Sequence, residues 1–228
     1  VRELDGMPLA LATAGAYLSQ LSTSFADYLQ LYKASWLQLQ QATPNVFPYD
    51  DRALYSTWNI SLNHVKQQSS HAAKLLQLWA YSYNQDVCLQ LLQQCQNDVP
   101  GWFLELTKDK INFEKAVRVL CDHALVETDA TFGVGSKESQ GHGMHSCVHS
   151  WTMHIVNKGR YDEMARLASR CVGLHVPSRN TSHHWVTQQR LLRHANRCQE
   201  VIVPGLARTS QDDSPSTLAA KHGIGNLF

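Results

Sequence analysis

Charge is what this sequence has least of. Only 17% of its 228 residues are charged, against roughly a quarter in an ordinary soluble domain. The 20 basic and 19 acidic residues leave a formal net charge of +1. That excludes a global field able to gather nucleic acid or an anionic membrane. Long apolar runs are also missing. The longest, Pro8 to Leu18, falls short of the about 20 residues that span a bilayer, so the expected location is cytoplasmic. No two of the six cysteines form a Cys-x-x-Cys pair. Scattered among apolar residues, they read as reduced thiols of an intracellular protein. There is no His-Glu-x-x-His, no Gly-x-Ser-x-Gly and no paired-carboxylate pattern. A Gly-x-x-x-x-Gly-Lys-[Ser/Thr] loop, whose backbone N–H groups would cradle phosphates, is absent as well. Taken alone, the chain is not expected to be an enzyme, and it carries no cofactor of its own.

Glutamine takes the place of charge, as in Leu37-Gln38-Leu39-Gln40-Gln41 and Leu89-Gln90-Leu91-Leu92-Gln93-Gln94. Such a surface suits contact with a partner or with the rest of a longer chain. The start at Val1, in the middle of an element, is read in the same way.

The apolar spacing is helical nearly throughout. Pro8 suits the first turn of a helix running to Leu21, because its missing N–H has no partner there in any case. Ser24 can cap a second helix carrying Phe25, Tyr28, Leu29, Tyr32, Trp36 and Leu39. Thr43 to Pro48 breaks the pattern. Further helices are expected from Asp51 to Val65, Ala72 to Tyr81, Val87 to Cys95, Pro100 to Leu106 and Asn112 to His123. The period then changes. Ala124 to Thr128 and Gly143 to His145 read as two strands around a polar, glycine-rich loop. Helices followed by such a hairpin are the winged-helix pattern. Cys147 to Asn157, Tyr161 to Leu174 and Val186 to Cys198 complete the helices. The expected fold class is therefore mainly α: a helical bundle, a winged-helix domain with a small β-hairpin, then more helices. The expected divisions are 1–43 (helical), 50–157 (winged helix), 158–203 (helical linker) and 204–228 (tail without a core pattern, expected to be disordered).

Chemistry concentrates between His142 and His154. His142, His145, Cys147, His149 and His154 are acceptable zinc ligand types, but their spacing fits no standard finger. Cys147 beside a histidine could form a thiol site, yet no local signature supports it, and a buried thiol is the simpler reading. Gly133-Val134-Gly135-Ser136-Lys137 has the wrong order for a phosphate loop and reads as a wing tip. A DNA-reading helix at Asn112 to His123 would offer Lys115 and Arg118 against Glu114 and Asp122, a poor balance for phosphate contact.

Two motifs together resemble a family. Leu4-Asp5-Gly6-Met7-Pro8-Leu9-Ala10-Leu11 is similar to the Gly-x-Pro-Leu-Ala motif that opens the helical domain of NB-ARC (STAND) switch ATPases. Far downstream, Met144-His145-Ser146 resembles their Met-His-Asp motif. Val148-His149-Ser150-Trp151 resembles the version in fungal NB-ARC proteins with tetratricopeptide repeats. Leu191-Leu192-Arg193-His194-Ala195-Asn196-Arg197-Cys198 resembles the helix leading into those repeats. The resemblance spans about residues 1 to 200. It implies an NLR-like signal-transduction protein with Gly6, Pro8 and His145 as nucleotide-binding residues, Pro8 near the adenine of ADP and His145 reaching its β-phosphate. It also implies a P-loop nucleotidase domain upstream and a repeat domain downstream as partners, with self-association as a further option and no membrane. ADP or ATP would belong to the intact parent. Ser146 stands where the family carries aspartate. The alternative is a free-standing winged-helix adaptor or DNA-binding module.

Overall fold

The computed structural model describes residues 8–42, 49–128, 141–158, 161–177, 184–206 and 215–228. The fold is mainly α with a small antiparallel two-stranded sheet. Among the described residues the α-helices are α1 (Pro8–Leu21), α2 (Phe25–Ala42), α3 (Tyr49–Gln68), α4 (Ser70–Trp79), α5 (Leu89–Gln93), α6 (Gly101–Thr107), α7 (Lys110–Asp122), α8 (Ser146–Trp151), α9 (Tyr161–Leu174), α10 (His184–Leu206) and α11 (Pro215–Gly225). The strands are β1 (Glu127–Thr128) and β2 (His142–Gly143), and a π-helical turn, Thr152–Val156, continues α8. The chain forms two compact units, Val1–Ala73 with Ala116–Glu127, and Lys74–Lys115 with Thr128–Phe228.

In the first unit α3 packs on both α1 and α2. Small residues on α1 let aromatic rings in: Ala10, Ala14 and Tyr17 share a buried cluster with Tyr28, Tyr32 and Ile60. Ser24 caps α2 as its position suggests, its Oγ accepting from the Asp27 N–H at 3.1 Å. Trp58, Leu62 and Val65 of α3 are buried. The expected boundary near residue 50 is thus not a boundary of packing. The α3 helix, assigned by sequence to the winged helix, shares a core with the residues before it. α7 ends without a glycine: Ala124 takes a left-handed φ of 52°, and the Leu125 N–H closes on the Leu120 carbonyl at 3.0 Å.

In the second unit α9 meets α5, α10 and α11. Cys88, Leu91, Val172, Leu191, Ala195, Cys198 and Ile224 form one buried cluster. Arg170 of α9 is 7% exposed. Its guanidinium donates to the carbonyls of Asp98, at 2.8 Å, and of Asn97, so the buried charge is solvated by backbone. Part of the stretch from 204 departs from its expected disorder. α11 lies on α9, with Ala220 and Ile224 buried. Its small residues give no apolar stripe in the sequence but allow close approach: a Cβ on Gly173 would overlap the Ala220 backbone. The strands are shorter than the sequence suggests, two residues each.

Candidate functional site

The site grows from the strand that delivers His145. His142 in β2 exchanges both backbone bonds with Val87, at 3.0 and 2.9 Å. Two residues on, the Met144 N–H donates to the Asn84 carbonyl at 2.8 Å. The Met144 carbonyl accepts from Asn84 Nδ2 at 3.0 Å and Gln85 Nε2 at 3.3 Å. A Cβ at Gly143 would meet the Gln85 carboxamide and oblige that side chain to shift. The chain leaves this strap at His145, whose extended backbone (φ −59°, ψ 141°) places it at the N-cap of α8. Its Nδ1 accepts from the Cys147 N–H at 3.2 Å. With Nδ1 as acceptor, the neutral ring carries its proton on Nε2. The residue is exposed. The arrangement therefore offers an outward N–H donor, held in place by a cap, that can meet a phosphate or carboxylate oxygen.

The other members of the histidine-rich stretch diverge from this point. His142 is 3% exposed, with its ring 6.0 Å from that of Phe113 and its Nε2 3.9 Å from a Glu114 carboxylate oxygen. Burial pushes its pKa down, and Glu114 offsets this in part. His149 is buried, and its Nε2 bonds the Ser82 carbonyl at 2.9 Å. Burial lowers its pKa too. Trp151 is buried in the core. Cys147 and His154 are exposed. That corrects the reading of Cys147 as a buried thiol: it is exposed in the first turn of α8, while its neighbour Val148 is buried. Among the described residues, no three His, Cys, Asp or Glu side chains are grouped to hold a metal ion.

Pro8 is the first residue of α1 and is exposed, as its lack of an N–H allows. It belongs to the first unit, His145 to the second. Gly6 and the loop containing Gly133 to Lys137 lie outside the described residues.

Sequence reasoning missed a polar cluster around the loop after α4. Asp86 receives Arg190 of α10 in a two-pronged pair, Nε to Oδ2 at 2.8 Å and an Nη to Oδ1 at 2.5 Å. Their side chains are 12% and 17% exposed, so water screens the pair little. His194, one turn further along α10, is 2% exposed. It accepts from the Tyr83 N–H through Nδ1 at 3.3 Å, and its ring also bonds the Asp86 carbonyl. Burial pushes its pKa down to about 4. Arg193 lies over the Tyr83 ring at 5.5 Å. A cavity of about 540 Å³ opens beside the pair, lined in part by Asp86, Cys88, Leu174, His175, Arg190 and His194. No spacing rule links residues 104 positions apart, so nothing in the sequence announced this cluster. Compared with known proteins, the chain matches no family model, no curated protein and no solved structure.

Proposed function

We propose that this chain is the regulatory helical and winged-helix portion of an NB-ARC-type (STAND) signalling switch, and that His145 is its contact with the phosphate of bound ADP. In this reading the chain supplies a lid rather than a catalytic floor. It couples the ADP or ATP state of an upstream P-loop domain to a downstream repeat sensor. The observation that carries the proposal is the state of His145: exposed, at the end of the hairpin, with Nδ1 occupied by the Cys147 N–H and Nε2 left to donate outward. Pro8 at the head of α1 is the second residue assigned, near the adenine. The imidazole N–H meets a phosphate oxygen of ADP and ties the winged helix to the nucleotide, and exchange for ATP releases it. That is a two-state equilibrium biased by ligand.

The test uses the intact parent protein. His145→Ala is expected to weaken ADP binding about tenfold to a hundredfold, since a hydrogen bond to a charged group contributes roughly 1.5–3 kcal/mol. His145→Asn retains a good N-cap residue for α8 while withdrawing the distal donor, and should weaken ADP as well. ADP affinity unchanged in both variants, measured by calorimetry, rules the assignment out.

A further inference from the structure

We propose that the loop from Tyr83 to Val87 is a relay that fixes the setting of His145 to the position of helix α10. The proposal rests on the switch reading for its purpose and on the second unit alone for its mechanics. Asn84, Gln85 and Asp86 are its positioning residues.

The loop is bonded on two sides, and its residues divide between them. Toward the histidine strand, Asn84 and Gln85 give their side-chain amides to the Met144 carbonyl, and the Asn84 carbonyl holds the Met144 N–H. Val87 pairs with His142 through both backbone groups. Toward α10, Asp86 grips Arg190, and His194 bonds the Tyr83 N–H and the Asp86 carbonyl. Asp86 stands between the two sets with a left-handed φ of 59°. Aspartate enters this region more readily than most residues, and the ion pair to Arg190 ties its side chain to α10.

The consequence is mechanical. If α10 shifts along its axis, Arg190 and His194 carry Asp86 and Tyr83 with them. Asn84 and Gln85 lie within the same short turn, so the Met144 carbonyl loses its two amide donors. Met144 immediately precedes His145, whose backbone angles set the N-cap and the direction of Nε2. Movement at α10 is thereby converted into loosening of the proposed phosphate contact. By linkage, a ligand that holds His145 also holds α10.

The experiment is residue-resolved amide hydrogen exchange on this chain without nucleotide. Arg190→Gln removes the grip on Asp86 at a point remote in sequence from His145. The expected result is exchange about fivefold to tenfold faster at the Met144 and Cys147 amides, the effect of losing one net hydrogen bond. Amides of α6 should be unchanged, which separates the relay from general destabilisation. Asn84→Ala combined with Gln85→Ala should act in reverse, shifting the imidazole resonances of His194. Should Arg190→Gln fail to fold, Arg190→Lys keeps the charge without the planar fork and should speed the same two amides. Faster exchange confined to α10, with Met144 and Cys147 unchanged in the folded variant, overturns the relay. Because no nucleotide is present, that failure is distinct from an unaltered ADP affinity in His145→Ala, which would overturn the switch reading and leave the relay standing.

Discussion

Acidification should destabilise this protein chiefly through buried histidines, and His194 is where the effect can be isolated. Its ring is buried, and its pKa falls from 6.5 to about 4, with burial the largest cause and the nearby Asp86 carboxylate opposing it. Above pH 6.5 the ring is neutral whether the chain is folded or not, so stability does not depend on this group. Between 6.5 and about 4 the unfolded chain takes up a proton that the folded one refuses. The unfolded state binds more protons in that window, so stability falls as pH falls, and the loss is complete below about 4. The gap corresponds to ~3 kcal/mol at 1.36 kcal/mol per tenfold change in proton affinity. His123, His142, His149 and His175 are also depressed by burial and act in the same direction. A variant is therefore needed to single out His194. His194→Gln keeps an amide in the site and removes the titration. At about pH 7 it should cost roughly 1–3 kcal/mol, because the Tyr83 N–H and the Asp86 carbonyl lose well-placed partners. Urea unfolding followed at steps down to about pH 4.5 should show the difference between native protein and variant shifting by ~2–3 kcal/mol in the variant's favour, so that the gap closes or reverses. Parallel stability curves across that range would refute the claim that His194 is buried neutral.

Two further predictions concern helix ends and helix contacts. Gly173→Val places a side chain into the Ala220 backbone. Over-packing of this kind costs ~1–3 kcal/mol, and it should expose α11 to trypsin at Lys221; unchanged cleavage would contradict the close α9–α11 contact. Ala124→Gly relieves a left-handed φ of 52° and should raise stability by ~0.5–1 kcal/mol in urea unfolding. A loss of stability there would show that Ala124 is not strained.

Helices whose burial follows one face were legible because the 3.6-residue period is written in the residues themselves. α7 is the clearest case, with Phe113, Ala116, Val117 and Leu120 all buried. α11 was not legible for the converse reason: it is held by Ala220 and Gly223 against Gly173, and small residues leave no apolar stripe to read. The stop of α7 was legible in the change of period after His123, but not its means: Ala124 rather than glycine takes the left-handed position. At the candidate site, the sequence singled out His145 by its place after the wing. It did not foretell that His149 would be tied to Ser82 while Cys147 and His154 face outward.

What the sequence by itself determined is the class of the protein: helical, with one short hairpin, poor in charge, and built from local periodicities that need no distant partner to be read. What only the tertiary structure decided is the state of each histidine. His142, His145, His149 and His194 are the same side chain. Yet one lies against Phe113, one caps a helix in solvent, one bonds a carbonyl, and one is held neutral beside an ion pair. Local spacing fixes which residues share a helix face, whereas the hydrogen bonding of His149 and His194 depends on groups brought from 67 and 111 positions away. Those contacts have no signature along the chain, and they distinguish the exposed His145 from the residues that hold it in place.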